Sequence, residues 1–208
     1  MKILVLVIHS ENTKERCNNI MSTWGKDVDI FFYSDYEDLK FNVIKVSNRK
    51  DYAGCPEKII NVFNKLPESY LDYDWYFFCD DDTFLNTRLL KATLKTFDPN
   101  YVHGNIIEGW PEDLSLSYPQ GGAGFMISNS TFKKIRSFGV IYNVVWSDVC
   151  LGLNIRSLNI KMKHDNRFNI HPPDDSVEKV CEHISFHYVK SIEEIENLYN
   201  QCNVPFLI

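Results

Sequence analysis

The feature that most constrains this sequence is an aromatic run that stops abruptly at three acidic residues. The run Trp75-Tyr76-Phe77-Phe78-Cys79 is followed directly by Asp80, Asp81 and Asp82. A continuous apolar run of this kind is typical of a strand buried on both faces, as in parallel sheets. Because ligands of open α/β sheets bind beyond the carboxyl ends of the strands, we expect the aspartates to lie at a ligand site.

The first half of the chain alternates between strand and helix patterns. Further strands are predicted over Lys2–His9, Val28–Tyr33 and Phe41–Val46. Helices are predicted from Asn12 or Thr13 to about Trp24, from Pro56 to Leu66 and from about Asn86 to Phe97. This β-α-β order predicts an α/β fold with a mixed, mostly parallel central sheet flanked by helices, and a Rossmann-like half that binds a nucleotide.

The second half has a more mixed pattern. Strands are expected over Tyr101–Ile107 and Phe125–Ser128, on either side of a loop that contains Gly and Pro. Helices are expected near 129–137, over 147–158 and from Ser191 onward. The 208 residues suffice for one substantial core, and no linker or repeat divides them. We therefore expect one domain over 1–208, with halves at about 1–100 and 101–208.

The net charge of −6 bears on the choice of partner. A protein this acidic, with no local run of Lys or Arg, has no electrostatic basis for binding a nucleic-acid backbone. A phosphate ligand would need positive charge from a metal ion, a helix N-terminus or a few well-placed basic residues.

Two further features bear on compartment. The N-terminal apolar run Ile3–Ile8 is much shorter than the roughly 20 residues that cross a bilayer, and it lacks a signal-peptide cleavage pattern, so we predict no membrane-spanning segment. The six cysteines contain no C-x-x-C pair, which argues against a structural zinc site. Their even number permits disulfides, but we expect free thiols.

Asp80 and Asp82 are the strongest candidates for a metal site. Side chains alternate faces along an extended segment, so these two can point the same way. Two adjacent carboxylates repel each other unless they are protonated or bridged by a cation. Oxygen ligands favour hard ions such as Mg²⁺ or Mn²⁺, which keep positions open for phosphate oxygens. The alternative is a solvated acidic turn.

Other metal-using classes fit less well. Haloacid-dehalogenase-like phosphatases also place an Asp-x-Asp after an apolar strand, but Phe84 stands where their pattern D-x-D-x-T/V has a hydroxyl or small residue. An EF-hand loop fails because the required Gly and terminal Glu are missing. A phosphatase and a non-catalytic nucleotide- or carbohydrate-binding module remain as alternatives.

Three later motifs are each ambiguous alone. Tyr118 to Phe125 contains the run Gly121-Gly122-Ala123-Gly124, which either admits a ligand close to the backbone or forms a tight turn. Asp148 in Trp146–Gly152 is either functional or simply favourable at a helix start. His187 in Ile184–Tyr188 is either a ligand or a core histidine with satisfied hydrogen bonds.

Together these motifs resemble the Fringe-like, core 1 β1,3-galactosyltransferase-like family of glycosyltransferases. In that family an acidic triad after an aromatic strand precedes a G-G-A-G-[FY] segment, an acidic-x-x-x-x-G segment and a late F-H. All four occur here in the same order. Arg16 with Thr23-Trp24 resembles the family's early R…TW helix, and Tyr52–Leu66, which contains Lys58, resembles the segment before the aspartates.

The resemblance implies a GT-A fold and a reaction that moves a sugar from a nucleotide-sugar, in these relatives UDP-sugar, to a glycan or glycoprotein hydroxyl. It implies a metal site, with Mn²⁺ favoured over Mg²⁺ by the imidazole ligand, and Asp148 as the general base of an inverting transfer. The implied metal ligands are Asp80, Asp82 and His187. The residues implied to contact the nucleotide-sugar are His9, Ser10, Arg16, Asp80, Asp81, Gly121, Gly122 and Ala123.

The sequence departs from the family pattern in three places. Ser147 replaces the acidic residue that usually precedes the base, which leaves acceptor binding and the pKa of the base open. The segment around Glu108-Gly109-Trp110 is short, so we do not infer galactosyl transfer or a β1,3 linkage. No membrane anchor or stem like those of Golgi relatives is recognised in this sequence, so we expect either a cytoplasmic microbial or viral enzyme or a Golgi-lumen catalytic domain without its anchor.

Overall fold

The computed structural model describes residues 1–173 and 180–203. Its strands are β1 Ile3–Ile8, β2 Asp29–Ser34, β3 Val43–Lys45, β4 Trp75–Asp80, β5 Phe84–Leu85, β6 Tyr101–Gly104, β7 Ile106–Trp110, β8 Asp113–Pro119, β9 Phe125–Ser128, β10 Lys161–His164, β11 Phe168–Asn169 and β12 Ser185–Phe186. Its α-helices are α1 Glu15–Ser22, α2 Cys55–Lys65, α3 Thr87–Thr93, α4 Asn129–Phe138, α5 Ser147–Ser157 and α6 Ile192–Asn203.

A seven-stranded sheet in the order β10-β6-β9-β4-β1-β2-β3 forms the centre of the molecule. Only β9 runs against the others, because it pairs antiparallel with β4 and β6 while the remaining pairs are parallel. The expected mixed, mostly parallel sheet is confirmed. The central strands β1 and β4 are buried on both faces, as their uninterrupted apolar sequences predict.

Hydrophobic clusters cover both faces of this sheet. One contains Val5, Phe77 and residues of α1, α3 and α6, and the other contains Leu6, Phe78 and residues of α2, α4 and α5. Alternate side chains of β1 and β4 thus enter opposite clusters, which fixes the strand register and the position of the strand ends.

The structure corrects two predictions for the second half. The single strand expected over Tyr101–Ile107 is interrupted at Asn105, so that β6 belongs to the central sheet and β7 to a separate hairpin with β8. The segment before Phe125, which the sequence predicts to be a loop, therefore contains strand β8. The alternation of Leu and Ser from Leu114 to Ser117 is the signal that could have indicated it.

Helix ends also differ from the predicted ones. The first helix is limited to α1, with 3-10 turns on both sides, and α3 gives way to a 3-10 turn at Leu94–Thr96.

All six cysteines are free thiols, as expected. Within the described residues, no helix combines the length and apolar character needed to cross a bilayer.

Candidate active site

The aspartates form a tight turn at the carboxyl end of β4. The Thr83 amide donates to the Asp80 carbonyl at 3.2 Å, and the Asp80 amide donates to Thr83 Oγ1 at 3.2 Å. The same hydroxyl donates to the Gly122 carbonyl at 2.8 Å. Thr83, which the sequence analysis did not single out, therefore joins the acidic turn to the glycine segment.

A small second sheet brings His187 to this turn. Strand β12 pairs antiparallel with β5, with Phe186 opposite Phe84 and Ser185 opposite Leu85. Just beyond this pairing, the Val189 amide donates to the Asp82 carbonyl at 2.9 Å. His187 is therefore held beside the aspartates by backbone hydrogen bonds on both sides.

Asp80, Asp82 and His187 form a possible metal-ligand set. His187 Nε2 lies 3.2 Å from Asp82 Oδ1 and 3.6 Å from Asp80 Oδ2, and one ligand atom from each residue lies within 4.8 Å of the others. His187 Nδ1 is buried without a hydrogen-bond partner among the described residues, so this is not a core histidine with satisfied hydrogen bonds. Two carboxylates and an imidazole fit a divalent ion such as Mn²⁺.

The pKa of Asp80 reflects its burial and the charged groups around it. Burial among protein atoms raises the pKa of Asp80 to about 7; the charge of His187 opposes this shift, and Asp82 adds to it. Side-chain exposure of Asp80 is 36%, so the carboxyl group still faces the open pocket. A bound cation would favour its ionised form.

Asp81 points away from this set into a network of its own. Its carboxylate pairs with His9 Nδ1 at 2.7 Å, Thr13 Oγ1 at 2.5 Å and Arg16 Nη1 at 2.5 Å. Burial alone would raise the pKa of Asp81, but the hydrogen bonds from His9 and Thr13 and the charge of Arg16 hold it below its usual value. Asp81 therefore positions His9 and Arg16, and Arg16 Nη1 also lies 3.6 Å from Asp82 Oδ2.

A buried ion pair lies behind the first-strand end. Lys58 Nζ is 2.6 Å from Asp35 Oδ2 and donates to the His9 carbonyl at 3.0 Å. Ser10 Oγ donates to the same Asp35 oxygen at 3.2 Å. Asp35 was missed by the sequence analysis, because an isolated aspartate after a strand carries no distinctive signal.

Asp148 lies beside Gly121, close to the metal-ligand set. A Cβ atom built on Gly121 would be 3.8 Å from both Asp148 Cβ and Asp80 Oδ1, so both residues border Gly121. Burial raises the pKa of Asp148, although hydrogen bonds from the Val149 and Gly121 amides oppose the shift. A carboxylate with a raised pKa is better suited to accept a proton than an ordinary surface aspartate.

The other residues of the glycine segment differ in whether they lie at the metal-ligand set or in the core. Gly122 contacts the His187 ring, and Gly124 has φ +80° where a Cβ would lie 2.5 Å from Phe77 Cζ. Ala123 is fully buried and accepts a hydrogen bond from the Ser185 hydroxyl. Gly121 and Gly122 therefore lie beside Asp80 and His187, whereas Ala123 is buried in the core, and its contact with the ligand stays a prediction.

A pocket of about 350 Å³ lies at the metal-ligand set. The predicted site residues that line it are His9, Ser10, Arg16, Asp80, Asp81, Asp82 and His187. Tyr188 forms part of the wall and has φ +62°, a backbone conformation that is costly for a non-glycine residue and often occurs at functional sites. Its ring stacks on His187 at 3.7 Å between centroids, which restricts the imidazole.

Comparison with solved structures defines the fold class. A glycosyltransferase involved in glycosylation of the PBCV-1 major capsid aligns with a TM-score of 0.54 and 14% identity, over 95% of this chain and 98% of the other. The galactosyltransferase LgtC, solved with donor and acceptor sugar analogues, gives 0.54 and 14% over 98% of both chains. The fold is that of GT-A glycosyltransferases, as the sequence resemblance implied.

The chain belongs to the Fringe-like family, whose sequence model matches residues 3–204. It is 26% identical to the β-1,3-N-acetylglucosaminyltransferase radical fringe of Xenopus laevis and 23% identical to a mouse β-1,3-glucosyltransferase. The alignments cover 82% and 83% of this chain, respectively. They cover 61% of the Xenopus protein and 37% of the mouse protein, so the chain spans less than two thirds of either relative.

Proposed function

We propose that this protein is a metal-dependent glycosyltransferase that moves a sugar from a UDP-sugar to a hydroxyl group of a glycan or glycoprotein, with inversion at the anomeric carbon. The observation that carries the proposal is the convergence of Asp80, Asp82 and His187 within 4.8 Å at the carboxyl edge of a mostly parallel sheet. The sugar-transferring activities named for both relatives support the reaction class.

In this proposal the donor occupies the pocket beside the metal-ligand set. Asp80, Asp82 and His187 would hold Mn²⁺ or Mg²⁺, which when bound neutralises charge on the departing diphosphate. Arg16, fixed by Asp81, lies at the pocket wall next to Asp82. Gly121 and Gly122 would allow the donor to approach the backbone closely because they carry no side chains.

Asp148 is proposed as the general base. It removes the proton of the acceptor hydroxyl while that oxygen forms a bond to the anomeric carbon. The bond between the anomeric carbon and the diphosphate oxygen breaks, and the nucleoside diphosphate leaves with the electron pair. Asp148 and Asp80 both border Gly121, which supports a base close to the proposed metal-ligand set.

Calorimetric titration of UDP tests the donor site directly. We expect saturable binding in the presence of Mn²⁺ that is lost with EDTA, and that is greatly weakened in Asp82→Asn. Asp72→Asn, which removes an exposed carboxylate of the same charge, is the matched control and should bind normally. Equal binding with and without the chelator would contradict the metal-bridged site. Turnover of UDP-sugars would then separate a transferase from a binding module.

A further inference from the structure

A cluster of aromatic rings lies where the β7–β8 hairpin meets the start of α5. The rings of Trp110 and Trp146 meet edge to face with centroids 4.7 Å apart, and Tyr118 lies 6.4 Å from Trp110. Trp146 is 41% exposed and Trp110 is partly exposed, whereas Trp24 and Trp75 are buried in the core. These two indoles are less buried than the core tryptophans, and exposed aromatic surface of this kind often marks a binding site.

The cluster is held in a defined geometry by the β7–β8 hairpin. The pairing of this hairpin changes register between Glu108 and Trp110, where Gly109 has φ +86°. Irregularities of this kind re-aim side chains, and here the Trp110 ring meets Trp146. The other end of the hairpin packs on α5, because a Cβ on Gly152 would lie 2.5 Å from Tyr118 Cβ.

The cluster also adjoins the helix that carries the proposed base. Trp146 immediately precedes α5, and the next residue, Ser147, lines the pocket that the donor is proposed to occupy. Asp148 follows in the first turn of the same helix. Trp146 therefore stands two residues before the proposed base, at the end of α5 that adjoins the proposed donor pocket.

The chemistry of the surface selects among acceptors. A pyranose ring has an apolar face of C–H bonds and a rim of hydroxyl groups, so it can stack on an indole while the rim contacts polar groups. Carboxylates of Glu108 and Glu112 lie on the same hairpin, and Trp110 Nε1 donates to Glu112. This negative charge disfavours an anionic acceptor and suits a neutral sugar.

We propose that Trp110 and Trp146 form a stacking platform for a neutral pyranose ring of the acceptor. This inference rests on the proposed function for the identity of the base and the donor pocket. The platform itself is a binding property that can be measured without turnover.

Saturation-transfer-difference NMR with methyl glycosides tests the platform. The probes are the methyl β-glycosides of glucose, galactose, N-acetylglucosamine and xylose and methyl α-L-fucoside, each added to the full chain with UDP and Mn²⁺. We expect saturation of ring C–H protons for at least one glycoside, with affinity about tenfold lower in Trp146→Ala and Trp110→Ala. Trp146→Phe should retain most of the signal, and Leu114→Ala, 84% exposed on the same hairpin, should be unchanged.

The UDP titration on the same variants separates the two proposals. Normal UDP binding in Trp146→Ala, together with loss of glycoside binding, supports both. Glycoside binding that is unchanged in both tryptophan variants, or missing for every glycoside in a wild-type protein that binds UDP, overturns the platform. Tryptophan-dependent glycoside binding in a protein that fails to bind UDP would retain the platform and reject the proposed transferase.

Discussion

Gly122 lies so close to the imidazole of His187 that a Cβ atom at position 122 would be 2.0 Å from His187 Cε1 and 2.1 Å from Nε2. The pairing of β12 with β5 and the hydrogen bond from the Val189 amide to the Asp82 carbonyl fix the backbone on both sides of His187, so the ring is the part that would have to move. The missing side chain of Gly122 thus sets the position of the proposed metal ligand.

Substitution of Gly122 should therefore damage the metal site. We expect Gly122→Ala to lower Mn²⁺ affinity about 10- to 100-fold, the range found when a ligand's support is removed. Electron paramagnetic resonance of free Mn²⁺ measures this directly. Gly121→Ala is the matched control, since its added Cβ would meet nothing nearer than 3.8 Å. Equal losses in the two variants would show that the glycine segment acts in some other way.

Metal binding should depend on pH through Asp80. Because burial raises the pKa of Asp80 to about 7, its carboxyl group is neutral below that pH and must lose a proton when a cation binds. We expect Mn²⁺ affinity to fall up to about tenfold per pH unit below 7 and to level off above it. In Asp80→Asn, affinity should be weak and this step in the pH profile should disappear. An identical step in that variant would assign it to another group.

Replacing the proposed base should separate chemistry from donor binding. We expect Asp148→Asn to bind UDP with Mn²⁺ normally and to reduce turnover about 10²–10⁴-fold, because the amide cannot accept the acceptor proton. Calorimetry and product formation measure the two effects, and proton NMR of the product gives its anomeric configuration. Weak donor binding with near-normal turnover would make Asp148 a binding residue instead.

The buried pair of Lys58 and Asp35 should be important for stability. Lys58→Met leaves the fully buried Asp35 carboxylate without its cationic partner, and we expect it to lower the free energy of unfolding by about 3–5 kcal/mol. Chemical denaturation at neutral pH measures this loss. The double variant Lys58→Met/Asp35→Asn removes both charges and should recover part of the lost stability. A double variant that is less stable than Lys58→Met would argue against the unpaired charge as the cause.

The sequence by itself determined the central strands and the acidic end of β4. The apolar runs of β1 and β4 are too uniform for one-sided burial, and their termination at polar residues marks the strand ends. The order of the motifs also predicted the family, which the match over residues 3–204 confirms.

Only the tertiary structure decided which of these residues meet. Alternation along the chain grouped Asp80 with Asp82, but only the folded structure shows that these two face His187 while Asp81 faces His9 and Arg16. Likewise Ala123 carries the family motif yet lies in the core.

The physical reason is that such contacts depend on pairing between segments far apart in the chain. The register of β12 on β5 places His187, and the irregular β7–β8 hairpin places Trp110 against Trp146. Local propensity and hydrophobic periodicity describe each segment separately, and a change of one residue in strand register would turn its side chains to the opposite face.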